Sequence, residues 1–284
     1  MGQARRGLAI YFAVLVPVSA ILELVIVRAN DNIGRYPWII RQYPWVLILL
    51  LMWTPAISSI VARLSLREGF ADVSFRLGGR QALPTYAAAV LMPLIVGTLA
   101  YGAAWATGLA GFKTPTHGGF FPYLGLALVY GATLEVVFGT GEEIGWRGYM
   151  LTRLIDAGVP QPLLVSGIIW ALWHFPLILS GTYAAGPHPG ISAGIFLVDV
   201  VGIGFVIGIL RLRSGSVWPA ALLHGEWNGI IQGPFDGSST GPGATTWVGE
   251  SGILVAGVSL AIGIAVAARY HKWHRETVSA DVKV

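Results

Sequence analysis

The stretch FPYLGLALVYGATLEVVFGTGEEIGWRGYM, residues 121–150, joins a long apolar run to two adjacent acids and an arginine. Residues 121–141 could cross the hydrocarbon core of a bilayer, which takes about 20 residues of α-helix. Charged side chains in such a segment are costly, and they are functional by default. The stretch therefore predicts a membrane-spanning helix with polar chemistry near one end.

The composition of the whole chain is that of an integral membrane protein. Of its 284 residues, 55% are hydrophobic and only 11% are charged, whereas soluble domains carry about 25% charged residues. The chain has no cysteine, which excludes disulfides, thiolate metal ligands and a cysteine nucleophile. The net charge of +4 is typical of Lys and Arg residues that orient membrane spans, so nucleic acid is not an expected partner.

Eight apolar segments predict an all-α fold, a polytopic membrane helical bundle of about eight transmembrane helices. The segment with the weakest hydropathy is the seventh, because it is short and contains His224, Glu226 and Asn228. The eight segments are residues 8–27, 44–62, 84–107, 121–141, 161–180, 191–210, 217–232 and 251–268.

The basic residues predict the orientation of the bundle. With the N-terminus in the cytoplasm, every Lys and Arg falls in a cytoplasmic segment except Arg28, Arg35, Arg41 and Lys113. The positive-inside tendency favours this arrangement, in which the N- and C-termini are both cytoplasmic. It also puts Glu142 near the cytoplasmic end of the fourth span.

The acid pair and the arginine of the opening stretch have a helical spacing. Glu143 and Arg147 are four residues apart, so an ion pair within one helix is natural. Glu142 points about 100° away from Glu143, which leaves one carboxylate free of the arginine. The alternative is an ordinary ion pair at a solvated helix end.

Two further polar motifs lie in predicted spans. His174 is in WALWHFPL, residues 170–177, and His224 and Asn228 share a helix face in HGEWN, residues 224–228. A His and an amide one turn apart can hold a metal or donate two hydrogen bonds to one oxygen. Alternatively, such residues hydrogen-bond neighbouring helices to one another.

A carboxylate, two imidazoles and an amide that converge in a dry bundle would activate water. The carboxylate takes a proton from water, while the His and Asn side chains stabilise the resulting oxyanion. The pattern therefore favours hydrolysis. The remaining acids in the spans, Glu23, Asp199 and Glu226, are assigned to helix packing.

The three motifs, in this order, resemble those of the CPBP family, also called the ABI or CaaX-protease and bacteriocin-processing family of intramembrane metalloproteases. The family pattern of EExxxR, FxxxH and HxxxN is matched here by Glu142, Glu143 and Arg147, by Trp170 and His174, and by His224 and Asn228. The resemblance covers about residues 120–232, which it identifies as the catalytic core of a single transmembrane domain spanning 1–284. It implies a peptidase, a hydrolase acting on a peptide or protein substrate that is lipid-modified or membrane-associated.

The resemblance also implies a role for each residue. Glu142 would be the general base and His174 would position the water, while Glu143 and Arg147 would form a supporting ion pair. His224 and Asn228 would stabilise the oxyanion. Trp170 stands where the family usually has Phe, and we expect it to form a wall of the substrate pocket.

A metal is the alternative chemistry that the resemblance implies. Zn²⁺ or another divalent ion would be held by Glu142, His174, His224 and Asn228, a set that is unusual because it includes an amide. We also expect a bacterial-type plasma membrane, with membrane lipids as neighbours, and the charge rule places the active site toward the cytoplasm.

Other functions remain open from the sequence. Buried acids and histidines also form proton relays, so a proton-coupled transporter is one alternative, although no inverted repeat is visible. A non-catalytic membrane scaffold or immunity protein on the same helical fold is another. GISAG, residues 190–194, matches a serine-nucleophile motif, but it opens an apolar helix rather than following a strand.

Overall fold

The computed structural model of the chain describes residues 2–116 and 118–281, and the side chains of these residues except 35, 38, 39 and 271–281. The predicted orientation also relied on Arg35, Lys272, Arg275 and Lys283, whose side chains lie outside this set. Two short strands pair antiparallel in the described part, β1 (Gly111–Phe112) and β2 (Ser239–Thr240). Nearly all the other regular structure described is helical.

Eight long helices form the bundle within the described residues. Seven are long and apolar enough to cross a membrane, and the exception is α7, which corresponds to the predicted segment 217–232 and is mostly buried. The helices are α1 (Gln3–Asp31), α2 (Trp45–Leu66), α3 (Leu83–Thr107), α4 (Phe120–Asp156), α5 (Pro162–Leu179), α6 (Pro189–Ser214), α7 (Trp218–Ile230) and α8 (Ile253–Asp281). Short helical turns cover Ile33–Arg35, Trp38–Gln42, Ala71–Val73, Arg80–Ala82 and Ala244–Trp247. The all-α polytopic membrane bundle predicted from sequence is confirmed.

Helix α4 differs from the predicted span, which ended at residue 141. The helix continues for 37 residues to Asp156, so the acid pair lies inside it. It continues because its charges are paired: Arg147 contacts Glu143, and Arg153 contacts Glu68 of the α2–α3 connection, each at 2.8 Å.

Three stretches of π-helix lie beside the polar motifs. Gly131–Glu135 and Trp146–Met150 lie on either side of the acid pair within α4, and Ile231–Phe235 follows directly on α7. Single π-helical turns in α-helices occur frequently at functional sites. Their positions here mark the α4–α7 pair as the candidate site.

Helix α7 packs against α3, α4 and α6 in the middle of the bundle. Its backbone approaches that of α4 closely, because a Cβ at Gly225 would lie 2.6 Å from the carbonyl oxygen of Gly131. A Cβ at Gly139 of α4 would lie 3.0 Å from the His224 side chain. Small residues permit such contacts between membrane helices, and here they bring the His224 face of α7 onto the acid pair of α4.

Charged residues gather at the end of the bundle where α2, α4 and α6 end. Arg63 and Arg153 both pair with Asp72, and Arg211 donates to the Asp72 carbonyl at 2.6 Å. We call Arg63, Glu68, Asp72, Arg153 and Arg211 the arginine cluster. Between this cluster and the acid pair lies a layer of fully buried side chains: Tyr11, Trp146, Arg147, Tyr149 and Met150.

Candidate active site

One carboxylate oxygen of Glu143 accepts two hydrogen bonds. Arg147 Nη1 donates to Glu143 Oε1 at 2.8 Å, and His224 Nδ1 donates to the same oxygen at 2.9 Å. The Arg147 guanidinium also lies over the Trp170 ring, 4.1 Å from its centroid. Glu143 and Arg147 are fully buried, so the ion pair predicted from their spacing is present and shielded from water.

Glu142 contacts different partners. Its Oε2 accepts indole N–H groups from Trp146 at 3.1 Å and from Trp170 at 2.7 Å. Its Oε1 faces His224 Nε2 at 3.9 Å, which is beyond a hydrogen bond. The two indoles fix the carboxyl group and leave Oε1 as the oxygen that can accept a proton.

His174 has its tautomer set by the backbone of its own helix. Its Nδ1 lies 2.9 Å from the Trp170 carbonyl oxygen, and since a carbonyl only accepts, Nδ1 carries the proton. Neutral His174 therefore keeps Nε2 as an acceptor. Aromatic rings of Trp173, Tyr183 and Phe196 surround the imidazole, with centroids 4.8–5.7 Å away.

Asn228 is the fourth polar residue of the motif set. Its Nδ2 donates to Glu135 Oε2 of α4 at 3.3 Å, and its Oδ1 accepts from Gln232 at 3.4 Å. The amide group has two N–H bonds, so one of them is left for a ligand. Glu135 lies seven residues before Glu142 on α4, and both line the same cavity.

One cavity of about 290 Å³ brings these groups together. Glu142, His174, His224 and Asn228 all line it, so three helices contribute to one polar wall. The loop after α5 adds Tyr183; burial, and next the Glu250 carboxylate that accepts its hydrogen bond, raise the pKa of this phenol well above its ordinary value. The apolar wall consists of Ile26, Trp45, Ile48, Leu51, Met52, Phe138, Trp173 and Leu177.

Two residues have surroundings that the sequence did not indicate. Trp170 hydrogen-bonds Glu142 and lines a small void of about 20 Å³ together with His174, His224 and Asn228. Its predicted role as a wall of the substrate pocket stays a prediction. Glu23, assigned to helix packing, lines the large cavity instead. A four-residue spacing in the sequence could have indicated that Glu23 lies on the buried face of α1. The residues on this face are Gly7, Tyr11, Leu15, Ser19 and Glu23.

The cavity extends away from the arginine cluster. Its lining includes the C-terminal half of α1, the first turns of α2 and residues 182–183 after α5, all at the opposite end of the bundle. The buried layer of Trp146, Arg147 and Tyr149 closes the route to the arginine cluster. With cytoplasmic termini, this lining lies toward the extracytoplasmic side, and the side of the membrane that the active site faces stays a prediction.

The four residues fit a metal poorly as they are arranged. Within the described residues, no group of three or more His, Cys, Asp or Glu side chains is close enough to hold a metal ion. Glu142 Oε2 already accepts two indole donors, and the Asn228 oxygen already accepts from Gln232.

The fold and the site together define a class: an integral membrane protein whose helices enclose a buried carboxylate, two histidines and an amide around a cavity. Residues 123–230 match the family model described as type II CAAX prenyl endopeptidase Rce1-like, which confirms the resemblance to the CPBP family. Over this segment the chain is similar to the Rce1-like endopeptidases.

A curated relative agrees with the family match. The chain is similar to CAAX prenyl protease 2 of Methanococcus maripaludis, with 31% identity over 96 residues. The similarity covers 32% of this chain and 35% of the relative, so the chain matches about a third of that protein's length.

Proposed function

We propose that the protein is an intramembrane endopeptidase, a hydrolase that cleaves a peptide bond of a protein substrate with a water molecule. The observation that carries this proposal is the single cavity shared by Glu142, His174, His224 and Asn228. The match of residues 123–230 to endopeptidases supports the same reaction.

In the proposed mechanism, Glu142 is the general base. Its Oε1 takes a proton from water while the water oxygen bonds to the carbonyl carbon of the substrate. The indoles of Trp146 and Trp170 hold the other oxygen, so the base is oriented before substrate arrives. His174 accepts the second hydrogen of the water at Nε2 and positions it.

The oxyanion of the tetrahedral intermediate is stabilised from α7. Asn228 supplies the amide N–H that Glu135 leaves free, and His224 in its imidazolium form donates from Nε2. When the C–N bond breaks, the proton held by Glu142 passes to the leaving amine. Glu143 and Arg147 do not touch substrate; they hold the His224 ring through the Nδ1–Glu143 hydrogen bond.

The substrate we propose is a membrane-associated or lipid-modified protein. Seven of the eight apolar lining residues are large aliphatic or aromatic side chains from α1, α2, α4 and α5, and with Met52 they form a surface suited to apolar groups. The name of the Methanococcus relative, a CAAX prenyl protease, favours the same class.

We propose that the charge rule decides the orientation, because most Lys and Arg residues lie toward the arginine-cluster end. Substrate then enters from the extracytoplasmic side of a bacterial-type plasma membrane, or laterally from lipid. Since the chain has no native cysteine, Thr182→Cys in intact cells gives a clean test. We expect a membrane-impermeant maleimide to label this cysteine in intact cells. If the cysteine is labelled only after the cells are opened, the active site faces the cytoplasm instead.

The decisive experiment for the reaction is a pair of carboxyl-to-amide substitutions. Glu142→Gln should lower peptide cleavage by the purified protein about 10²- to 10⁴-fold, the usual contribution of a general base. Glu226→Gln is the matched control, because Glu226 is also buried but does not line the cavity. Full activity of Glu142→Gln would show that Glu142 is not the general base. If the unsubstituted protein has no peptidase activity but carries protons, and Glu142→Gln abolishes this flux, the result would favour a transporter.

A further inference from the structure

Glu23 of α1 is a buried carboxyl group in the cavity that the proposed mechanism does not use. The residue is 6% exposed and lines the cavity together with Glu142. None of the described residues donates a hydrogen bond or forms an ion pair with it. Burying a carboxyl group without a partner is costly, so its position needs an explanation beyond helix packing.

Helix α1 holds Glu23 close to the reacting groups. One turn earlier on the same buried face, Ser19 Oγ accepts the indole N–H of Trp173 at 2.8 Å and lies 3.1 Å from Thr54 Oγ1. Trp173 precedes His174 and its ring lies 4.8 Å from the imidazole. These contacts fix the rotation of α1 and direct position 23 at the cavity.

The cavity wall is acidic. Three carboxyl groups line it, and no Lys or Arg is among its lining residues in the described part of the chain. Two of the carboxyl groups have donors: Glu142 accepts from indoles and Glu135 accepts from Asn228. Glu23 is the carboxyl group whose hydrogen-bonding capacity is unused.

We infer that Glu23 is a specificity-determining residue that binds a positively charged side chain, Lys or Arg, of the peptide substrate. This inference rests on the proposed peptidase function and names a subsite for it. A guanidinium or ammonium group would supply the charge-assisted hydrogen bonds that the protein itself does not provide to Glu23. The apolar lining residue Ile26, one turn further along α1, would contact the aliphatic stem of such a side chain.

The test compares two peptides that differ only in arginine or citrulline, its neutral and nearly isosteric analogue. For the unsubstituted protein we expect kcat/KM to be about tenfold or more higher for the arginine peptide. A hydrogen bond to a charged group contributes enough free energy to give a ratio of this size. In Glu23→Gln the ratio should fall to about one, mainly through a higher KM for the arginine peptide. A thermal unfolding midpoint no lower than that of the unsubstituted protein shows that the variant is folded.

Binding gives a second measurement that does not need turnover. The dissociation constants of the same peptides for Glu142→Gln should show the same preference, and adding Glu23→Gln should remove it. Glu226→Gln, the matched buried-carboxyl control, should keep the full preference. Cleavage of both peptides at equal rates by the unsubstituted protein would overturn the subsite and leave the peptidase intact, whereas an absence of both cleavage and binding would overturn both.

Discussion

The arginine cluster and the cavity site are both groups of charges in an apolar chain, but they satisfy their charges differently. In the cluster, Asp72 contacts both Arg63 and Arg153, and Glu68 contacts Arg153 at 2.8 Å. At the cavity site, Glu143 has its arginine, while Glu142 and Glu23 have none among the described residues.

The difference separates structural charges from candidate functional ones. A nearby arginine favours the ionised form of a carboxyl group and makes it a weaker base, whereas a carboxylate held by neutral indoles keeps more of its basicity. Glu142 and Glu143 are neighbours in sequence and both are buried, yet Arg147 pairs with Glu143 alone, and of the two only Glu142 lines the cavity. Partners, rather than depth, distinguish their roles.

The largest expected effect on stability comes from breaking the buried pair. Arg147→Met leaves the Glu143 carboxylate buried without its arginine and removes the guanidinium from the Trp170 ring. Removing one partner of a buried ion pair costs about 3–5 kcal/mol, measured as a lowered thermal unfolding midpoint in detergent. Asp72→Asn in the arginine cluster should cost less, because the Asp72 side chain is 36% exposed; equal losses would remove the distinction between the two regions.

The next effect tests the close approach of α7 to α4. In Gly225→Ala the new Cβ would lie 2.6 Å from the carbonyl oxygen of Gly131 and from the Val136 nitrogen. These are backbone atoms that do not move cheaply, so we expect about 1–3 kcal/mol of destabilisation and a loss of activity as His224 shifts from the acid pair. Gly125→Ala on α4, where a Cβ meets nothing within 4 Å, should be neutral or stabilising, and a neutral Gly225→Ala would contradict the packing.

Sequence reasoning reached the helices, the three motifs and the Glu143–Arg147 pair, because each of these depends on local spacing. It missed the continuation of α4 to Asp156, since hydropathy ends a span at a charge and cannot see that Glu68, 85 residues away, neutralises Arg153. It also missed the indole donors to Glu142: Trp170 is 28 residues away, whereas the four-residue spacing of Trp146 was a local signal that could have indicated the contact. Glu23 was assigned to packing because most residues that share its cavity come from other helices.

A smaller effect, dependent on pH, is expected at the exposed edge of the arginine cluster. Burial alone would raise the pKa of Asp72, but its hydrogen bond and charge contacts with Arg63 and then Arg153 lower it below the ordinary value. A carboxyl group with a lowered pKa stabilises the fold above its unfolded pKa, and this contribution is lost as the pH falls through the folded pKa. The Asp72 side chain is 36% exposed, so Asp72→Asn should cost at most about 1 kcal/mol at neutral pH.

The measurement is the unfolding midpoint of both proteins between pH 7 and pH 3. The unsubstituted protein should lose its advantage over Asp72→Asn as the pH falls below about 4, the ordinary range of an aspartate. A difference that stays constant with pH would mean that the Asp72 charge does not stabilise the fold.

The smallest expected effect is that of removing divalent ions. This experiment tests whether Glu142 acts as a base or as a metal ligand. The proposed base uses Oε1 alone, since Oε2 accepts the indoles of Trp146 and Trp170, and no step of the mechanism requires Zn²⁺. Dialysis against a chelator should therefore leave cleavage within about twofold, whereas metal-dependent activation of water would lose most of its rate. Loss of activity that Zn²⁺ restores would assign Glu142, His174, His224 and Asn228 to a metal, and the indoles would then have to release Glu142 when the ion binds.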